Sequence, residues 1–462
     1  IDEPYFGMYI SIHEYASEKL HAMGPDRSLA TERRHGEYFA RHGSDEAIES
    51  LHVFGGIERR RELALDIDNL VAACRRAARR NDAEVAVSTY RAAAEVFDLQ
   101  GPFRLAVELG AAMLALPGAD APQRGIVLLA SGRAVRRIGR TDDAASQVEA
   151  ALTAARESGR EVDETTALLA LGILRHEQGR STEGLGLLKA GIALAQRIGH
   201  RRLEGDGLDK LGCIDAPQGR LDEARTSFES ALAIQREIGD RRAEAIATLH
   251  LGNISREFGR LDDAAALYEK ARDIGREIGS RRDESSASRA MALILLDQKR
   301  VDEAQALCEA ALAINREVGL RSEEGSILEL QAGALSDSGR LEEALPRYAQ
   351  ALNLHRELGN RHREGVTLAG FGDALARRGR LSEARRAFRD GEALLRETGD
   401  RMMLAVLLSL SGQAEVAAGD RDAALRAHAA ALDAAGGMGP DSFPMLYVND
   451  LGRTLDGAPR SL

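Results

Sequence analysis

The chain has 462 residues and a formal net charge of −11, with 62 basic and 73 acidic residues spread along its length. This even distribution of charge argues against non-specific binding to membranes, and direct nucleic-acid binding is not expected of this segment. Three isolated cysteines, without a C-x-x-C pair, do not support a disulfide framework, so a reducing cytoplasm is the expected location. No apolar run approaches the roughly 20 residues that a membrane-spanning helix needs.

The first 120 residues are predicted to be helical without a clear repeat. We divide them into a helical segment, residues 1–82, and a degenerate helix pair, residues 83–120. The first segment holds an amphipathic helix in SIHEYASEKL, a second around Arg34–Phe39 and a third that reaches Asp66–Ala73. The aromatic residues Tyr15, Tyr38 and Phe39 are most simply core residues of this segment. Asp68 and Asn69 most simply cap a local turn or form hydrogen bonds within it.

Between residues 121 and 440 the sequence repeats with a period of 40 residues, eight times. Two glycine series mark the period, half a period apart. They are Gly139, Gly179, Gly219, Gly259, Gly339, Gly379 and Gly419, with Lys299 as the exception, and Gly159, Gly199, Gly239, Gly279, Gly319, Gly359, Gly399 and Gly439. Glycine ends helices because it adopts the left-handed conformation without a Cβ clash. Each period is therefore predicted to be a pair of helices that buries its apolar face only by stacking on neighbouring pairs.

The residues of one period predict how its two helices pack. Ala224, Phe228 and Ala231 lie at i, i+4 and i+7 on one face of the second helix. Leu251 and Gly252 lie on the contact face of a first helix, where the small glycine allows close approach. This pattern resembles the tetratricopeptide repeat in a 40-residue form, although the family's proline at the end of the second helix is missing. The resemblance implies an all-α, right-handed α-solenoid, preceded by the helical N-terminal segment, with a concave groove lined by first helices.

Three N-terminal motifs, in this order, are similar to the junction that precedes the repeats in bacterial STAND-type signal-transduction ATPases. The matching residues are Met8, Ile12, Glu14, Tyr15 and Ala16; Arg34, His35, Tyr38 and Phe39; and Asp68, Asn69, Leu70, Ala72 and Ala73, with His13 in place of the usual arginine. The resemblance implies that an ATPase domain of the same protein precedes this segment. The start at Ile1 rather than methionine leads us to expect a longer protein.

No motif in the chain indicates catalysis. No lysine follows a glycine, so the P-loop pattern G-x-x-x-x-G-K-[ST] is absent. The H-E-x-x-H pattern is absent, and the eleven histidines are scattered without metal-ligand spacing. We therefore predict a non-enzymatic segment with no catalytic, cofactor-binding or metal-ligating residues.

Arginines recur after the second glycine series, as Arg201-Arg202, Arg241-Arg242, Arg281-Arg282, Arg321, Arg361 and Arg401. They either form a basic ridge for an acidic partner, or they pair with nearby carboxylates such as Glu204, Glu244 and Glu284 or lie beside helix-end carbonyl groups. We favour pairing because the arginines follow the period of the fold itself.

Residues that distinguish one repeat from another are the candidates for partner binding. Projection onto the tetratricopeptide geometry places Leu249, Asn253, Arg256, Arg289, Leu293, Leu296, Glu329 and Asp373, together with Asp209, in the concave groove. Leu293 and Leu296 stand where the neighbouring repeat has Asn253 and Arg256, which predicts an apolar anchor site for a helix or peptide with acidic neighbours. The alternative is that both leucines pack against a neighbouring helix.

The leading functional hypothesis is a protein- or peptide-recognition array, acting as the sensor or partner-binding arm of a larger cytoplasmic signalling regulator. A free-standing scaffold for protein complexes and a receptor for a small-molecule inducer are the alternatives. Pro217 should end its helix early, and residues 441–462 should form a C-terminal cap, with Ser442–Leu451 as the capping element, followed by a tail.

Overall fold

A computed structural model describes residues 15, 18–20, 22–436, 439 and 442–457. Its described residues are helices and their connections, without a strand, and the predicted all-α solenoid is confirmed. The chain begins with helices that precede the repeats: α1 (Pro25–Ala40), α2 (Asp45–Ser50), α3 (Gly56–Leu65), α4 (Ile67–Arg79), α5 (Ala83–Gln100) and α6 (Phe103–Leu114).

Eight helix pairs follow, joined by short connections that make neighbouring helices antiparallel. The pairs are α7 (Ala121–Arg137) and α8 (Thr141–Glu157), α9 (Glu161–Glu177) and α10 (Ser181–Arg197), α11 (Arg201–Asp215) and α12 (Leu221–Ile238), α13 (Arg241–Glu257) and α14 (Leu261–Glu277), α15 (Arg281–Asp297) and α16 (Val301–Val318), α17 (Arg321–Asp337) and α18 (Leu341–Glu357), α19 (Arg361–Arg377) and α20 (Leu381–Thr398), and α21 (Arg401–Ala417) and α22 (Arg421–Ala434). The last helix is α23 (Phe443–Leu455).

The helix ends follow the glycine series. Gly239 has φ 82° and ψ 21°, and its N–H donates to the Gln235 carbonyl oxygen, which closes the end of α12. Lys299, which replaces the glycine at one position, takes the same left-handed region with φ 62°. The connection therefore keeps its geometry even where the side chain disfavours it, because the packing of both flanking helices dictates the turn.

In the third and fourth pairs, a glycine of the first helix lies against an aromatic residue of the second helix. A Cβ atom placed on Gly212 would lie 2.6 Å from Phe228, and one on Gly252 would lie 2.5 Å from Tyr268. Phe228 and Tyr268 are almost completely buried. The predicted contact between the Leu-Gly pair and the aromatic residue is confirmed, and it explains why the two helices approach so closely.

Pro217 acts as predicted. Helix α11 ends at Asp215, and Ala216–Gln218 continue as a 3₁₀ turn. A proline in the helix interior lacks the N–H donor and clashes with the preceding turn, so the α-helical pattern stops before it.

Two of the three aromatic core predictions at the N terminus are wrong. Tyr15 is 60% exposed and Tyr38 is 56% exposed, whereas Phe39 is 7% exposed and belongs to the core. Tyr38 and Phe39 are adjacent on α1, so they face about 100° apart and only one of them reaches the core. Asn69 does hydrogen-bond locally, because its Nδ2 donates to Asp66 Oδ1 at 3.0 Å. The other motif residues Met8, Ile12, Glu14 and Ala16 lie outside the described residues.

The solenoid closes on itself between repeats that are distant in sequence. A Cβ atom on Gly139 would lie 3.2 Å from Leu358, and one on Gly179 would lie 2.5 Å from the Thr398 carbonyl oxygen. Phe103, Val318 and Leu320 form one buried cluster, with Ile138 packed against it. These contacts join residues more than four 40-residue periods apart, so the early and late repeats enclose a space between them.

The helices before the repeats are attached to the solenoid by ion pairs. Arg202 donates from Nε and Nη2 to both carboxylate oxygens of Glu49, at 2.9 and 2.5 Å. His52 Nδ1 lies 3.0 Å from Asp240 Oδ2, at the start of α13. These contacts connect the α2 region to the starts of two first helices.

A second group of ion pairs centres on α5. Asp98 lies between Arg242, with Nη2 to Oδ2 at 2.6 Å, and Arg137, with Nε to Oδ1 at 3.5 Å. Glu95 contacts Arg133 at 2.9 Å and Arg60 at 3.7 Å. We call these groups together the inner ionic network, formed by Glu49, His52, Arg60, Glu95, Asp98, Arg133, Arg137, Arg202, Asp240 and Arg242. Arg60, Glu95, Asp98 and Asp240 are buried and most of the other members are half-buried, so solvent screens these pairs less than pairs on the open surface.

The inner ionic network predicts a loss of stability in acid. Burial alone raises the pKa of Asp98, but Arg242 and Arg137 outweigh burial and hold this pKa well below its usual range. Glu95 behaves in the same way beside Arg133. A carboxylate with a lowered folded-state pKa contributes stability that is complete above its unfolded pKa, about 4, and is lost as the pH falls toward the folded value.

We therefore expect the free energy of unfolding to decrease as the pH is lowered below about 5. Urea unfolding at a series of pH values measures this slope, and Asp98→Asn should make the slope shallower. A wild-type stability that is constant between about pH 5 and pH 3 would contradict the assignment.

Most of the arginines after the second glycine series pair with carboxylates, as predicted, whereas Arg401 donates to the backbone carbonyl oxygens of Asp433 and Gly436. Arg241 Nη1 donates to Glu244 at 2.6 Å and its Nη2 donates to Glu277 at 2.5 Å. Arg201 and Arg281 repeat this arrangement one period earlier and later. These side chains therefore connect the start of the first helix of a pair to the end of the second helix of the same pair, and they do not form a free basic ridge.

At the C terminus, α23 packs on the last repeat through Val448, Leu451 and Leu455, which are buried. The helix continues to Leu455, beyond Leu451, the predicted end of the capping element. Residues 458–462 of the predicted tail lie outside the described residues. Among the described residues, no helix has the length and apolar character required to cross a membrane.

Candidate functional site

The enclosed space of the solenoid contains a cavity of about 1360 Å³, which we call the central cavity. Three first helices, α15, α17 and α19, supply one part of its lining through Arg289, Ser326 and Val366. The ends of α7 and α9 supply another part through Arg136 and His176. The closure between early and late repeats brings these two parts together.

Arg289 is a cation in the lining of the central cavity. It is half-buried on α15, and among the described residues no hydrogen bond or ion pair involves its guanidinium. Burial and the nearby Arg363 lower its pKa. A desolvated cation without a counter-ion is costly, and an incoming carboxylate relieves that cost.

The acidic groups of the central cavity are mostly occupied. Arg136 Nη2 donates to Glu177 Oε1 at 2.6 Å, and His362 Nε2 lies 2.7 Å from Asp400 Oδ2. Glu329 accepts from Thr367 Oγ1 at 3.2 Å. Burial raises the pKa of Glu329 although Arg363 opposes this effect. Arg289 is therefore one position in the cavity where a negatively charged group meets a cation that no carboxylate of the described residues already pairs.

Apolar surface lies beside this cation. Leu296, Leu330 and Val366 line the cavity, and Tyr348 contributes its ring. Leu296 also packs against the buried cluster that includes Cys308 and Leu312. A ligand at this site meets apolar groups and a cation together. A peptide that carries both an apolar and an acidic side chain would match these two kinds of group.

The structure divides the predicted groove residues into two sets. Arg289, Leu296 and Glu329 line the central cavity. Apart from Leu293, the other residues have partners elsewhere in the protein or pack on the core. Asn253 Oδ1 accepts from Tyr268 Oη at 2.7 Å, and Arg256 donates to Asp297 and Glu257. Leu249 packs against the cluster around Tyr268, and Asp373 lies 3.6 Å from Arg377.

Leu293 and Leu296 behave differently from each other. Leu296 both lines the central cavity and packs on the core, so it combines the two alternatives that the sequence left open. Leu293 is half-buried and does not belong to the cavity lining. The apolar part of the cavity lining therefore includes Leu296, Leu330 and Val366.

No sequence pattern predicts the residues on the far side of the cavity. Arg136 and His176, at the ends of α7 and α9, line it together with Arg289. Their contribution depends on the curvature of the whole solenoid, which determines which distant repeats meet. The 40-residue pattern predicts contacts between neighbouring repeats only, so it cannot predict which residues of distant repeats line the same cavity.

Comparison with known families supports the repeat assignment. A family model described as a tetratricopeptide repeat matches residues 207–277 and 323–397, and a second model with the same description matches residues 129–197. Tetratricopeptide repeats form a protein-interaction fold that is generally non-catalytic. No curated protein sequence matches the chain.

Several solved structures are similar. The Rap protein complexed with competence and sporulation factor shares 12% identity, with a TM-score of 0.58, and the match covers 81% of this chain and 99% of that chain. A STAND protein from Pyrococcus horikoshii with a tetratricopeptide-repeat sensor shares 12% identity over 75% of this chain and 51% of that chain, with a TM-score of 0.49. The quorum sensor NprR from B. thuringiensis shares 13% identity over 67% of this chain and 88% of that chain, with a TM-score of 0.47.

At these identities the similarity to the Rap protein concerns the fold alone. The eight helix pairs, their glycine-terminated ends and the family matches identify the chain as a tetratricopeptide-repeat array.

Proposed function

We propose that this chain is a non-enzymatic recognition array that binds a peptide, or an extended segment of a protein, in the central cavity. We further propose that it is the sensor or partner-binding arm of a larger cytoplasmic signalling regulator. The ordered N-terminal motifs that resemble the STAND-type junction support the second part. The observation that supports the first part is Arg289, a half-buried cation in the lining of the central cavity that has no ion pair among the described residues.

The chemistry of the cavity indicates the kind of peptide that it fits. Arg289 calls for a carboxylate, and Leu296, Leu330 and Val366 call for an apolar side chain close to it. Glu323 Oε2 is buried without a hydrogen-bond partner in the described residues, and it offers an acceptor for a peptide N–H. An acidic peptide with an apolar anchor satisfies all three features.

The size of the cavity favours a peptide over a small inducer. Small-molecule sites usually enclose about 300–1,000 Å³, whereas the central cavity has about 1360 Å³. The similar Rap protein is complexed with competence and sporulation factor. That complex is consistent with a binding role for this fold. The acidic and apolar character proposed for the ligand follows from the residues that line the central cavity.

The test is selection of a phage-displayed library of random linear peptides on the immobilised full chain. We expect the enriched peptides to combine Asp or Glu with Leu, Ile or Phe. For one selected synthetic peptide, Arg289→Ala should raise the dissociation constant by about 10–100-fold, because a charge-assisted hydrogen bond contributes about 1.5–3 kcal/mol.

Arg386→Ala is the matched control, since Arg386 is exposed on α20 and does not line the cavity. The control should leave peptide affinity unchanged. The proposal is wrong if no peptide is enriched, or if the selected peptides bind wild type and Arg289→Ala equally.

Two further observations separate the alternative functions. If a fraction of cell metabolites binds the chain and no selected peptide does, the small-molecule receptor is favoured. The coding sequence upstream of Ile1 separates a sensor arm, which requires a P-loop ATPase there, from a free-standing scaffold.

A further inference from the structure

A second cluster of functional side chains lies outside the central cavity. Asp209 and Cys213 are four residues apart on α11, and His250 lies on α13, the first helix of the next repeat. One potential ligand atom from each residue lies within 4.8 Å of the other two. The sequence analysis found no metal-ligand spacing because the third member is supplied by the neighbouring repeat.

The fold explains why these residues meet. Residues four apart lie on the same face of a helix, so Asp209 and Cys213 face the same way. The 40-residue period stacks α13 beside α11, which places His250 next to that face. The equivalents of Cys213 in the next two repeats are Asn253 and Leu293. The combination is therefore not a requirement of repeat packing.

The distances fit a metal ion held by one atom of each residue. His250 Nδ1 lies 2.9 Å from Asp209 Oδ1 and 3.7 Å from Cys213 Sγ. Around a tetrahedral Zn²⁺ with ordinary bond lengths, nitrogen and oxygen ligands are roughly 3.3 Å apart, and nitrogen and sulfur ligands are roughly 3.5 Å apart. The two distances from His250 Nδ1 differ from that geometry by no more than about 0.4 Å, and the Asp209 oxygen and Cys213 Sγ lie within 4.8 Å of each other.

We propose that Asp209, Cys213 and His250 bind a divalent transition-metal ion of the Zn²⁺ class, with a fourth position open to water or a ligand. A thiolate and an imidazole select borderline-soft ions, whereas Mg²⁺ and Ca²⁺ prefer all-oxygen sites. The thiolate and the carboxylate together balance the two charges of the ion. The site is half-buried, with the His250 side chain 22% exposed and the Asp209 side chain 16% exposed, so an ion can enter from solvent.

The surroundings of the site are suited to hold its ligands in place. The Phe228 ring lies 4.9 Å from the His250 ring, centroid to centroid, and restricts the imidazole on one side. Cys213 packs against two buried clusters, one with Leu188 and Ile214 and the other with Phe228 and Ile254. An apolar shell of this kind limits the competition of water for the metal.

The first test uses Co²⁺ as a spectroscopic probe on the full chain after chelator treatment and dialysis. We expect one equivalent of Co²⁺ to produce a sulfur-to-cobalt charge-transfer band and the intense visible bands of tetrahedral cobalt. Cys213→Ser should abolish the charge-transfer band, and Cys308→Ala, which removes a buried thiol elsewhere, should leave it intact. A Co²⁺ band that survives Cys213→Ser, or the absence of any band in wild type, would overturn the proposal.

Zn²⁺ affinity provides a second readout, measured by competition with a chromophoric chelator. Even groups that only support a ligand change metal affinity by about 10–100-fold, so His250→Ala or Asp209→Asn should weaken Zn²⁺ binding by at least about 100-fold. An unchanged affinity in both variants means that Zn²⁺ binds elsewhere, and the site is then only a hydrogen-bonded Asp-His-Cys group.

A third readout needs no substitution and remains valid if the variants fold poorly. Cys213 is the half-buried thiol, whereas Cys74 and Cys308 are buried. Zn²⁺ should slow alkylation of Cys213 in native wild type, followed by peptide mass spectrometry, and Mg²⁺ should not. Equal alkylation rates with and without Zn²⁺ would contradict metal binding at this position.

Discussion

Replacing Asp98 by alanine is expected to lower the free energy of unfolding by about 3–5 kcal/mol, because it leaves buried arginines without a counter-ion. Asp98 is buried between Arg242 and Arg137, at 2.6 and 3.5 Å. The Arg242 side chain is only 11% exposed, so it cannot turn fully into solvent when its partner is removed. Urea unfolding followed by circular dichroism measures the effect.

The matched control is Asp302→Ala. Asp302 also pairs with an arginine, Arg340, at 2.7 Å, but its side chain is 90% exposed. Exposed ion pairs are screened and contribute little, so this variant should unfold like wild type. If Asp98→Ala is as stable as the control, the inner ionic network does not attach the N-terminal helices to the solenoid.

Replacing Gly239 by valine is expected to destabilise the protein for two separate reasons. The left-handed conformation at φ 82° costs a residue with a Cβ about 1–2 kcal/mol. A Cβ atom at this position would also lie 2.6 Å from Phe54 Cγ and 2.8 Å from the Phe54 backbone nitrogen. The second effect arises because the turn before α3 lies directly on the end of α12.

Gly279→Val isolates the first reason. Gly279 has φ 70°, and a Cβ atom there would meet nothing within 4 Å. We therefore expect Gly279→Val to lose only the conformational contribution and Gly239→Val to lose distinctly more. Hydrogen exchange should additionally increase across residues 45–65 in Gly239→Val alone. Equal losses in the two variants, with unchanged exchange, would show that the N-terminal turn does not pack on Gly239.

Much of the fold was predictable because its determinants are local. The glycines that end helices, the small residue opposite Phe228 and the proline at residue 217 act through neighbours in the same or the next helix. Their signals recur every 40 residues, so each repeat supports the interpretation of the others. The interpretation failed at Tyr15 and Tyr38, which are exposed, because the N-terminal segment has no repeat with which to compare its faces.

The candidate site was predictable only in part. Arg289, Leu296 and Glu329 were found by asking where one repeat differs from its neighbours, and they line the central cavity. Leu249 and Asn253 were found in the same way, yet they pack on or hydrogen-bond to Tyr268 and its cluster. The position of a residue in a repeat shows whether its side chain faces the concave side of the solenoid. It does not show whether that side chain already packs on, or hydrogen-bonds to, another residue of the chain.

The paired arginines show most clearly what the sequence determined and what it did not. Arg241 and its equivalents contact carboxylates that repeat with the same period, so the sequence by itself determined their partners. Arg242 is equally periodic, but it pairs with Asp98 of α5, a helix outside the regular array. That pair, the closure of early repeats on late ones and the central cavity depend on the accumulated curvature of the solenoid. Small rotations at each repeat add up over the whole chain, so only the tertiary structure decides which distant residues meet.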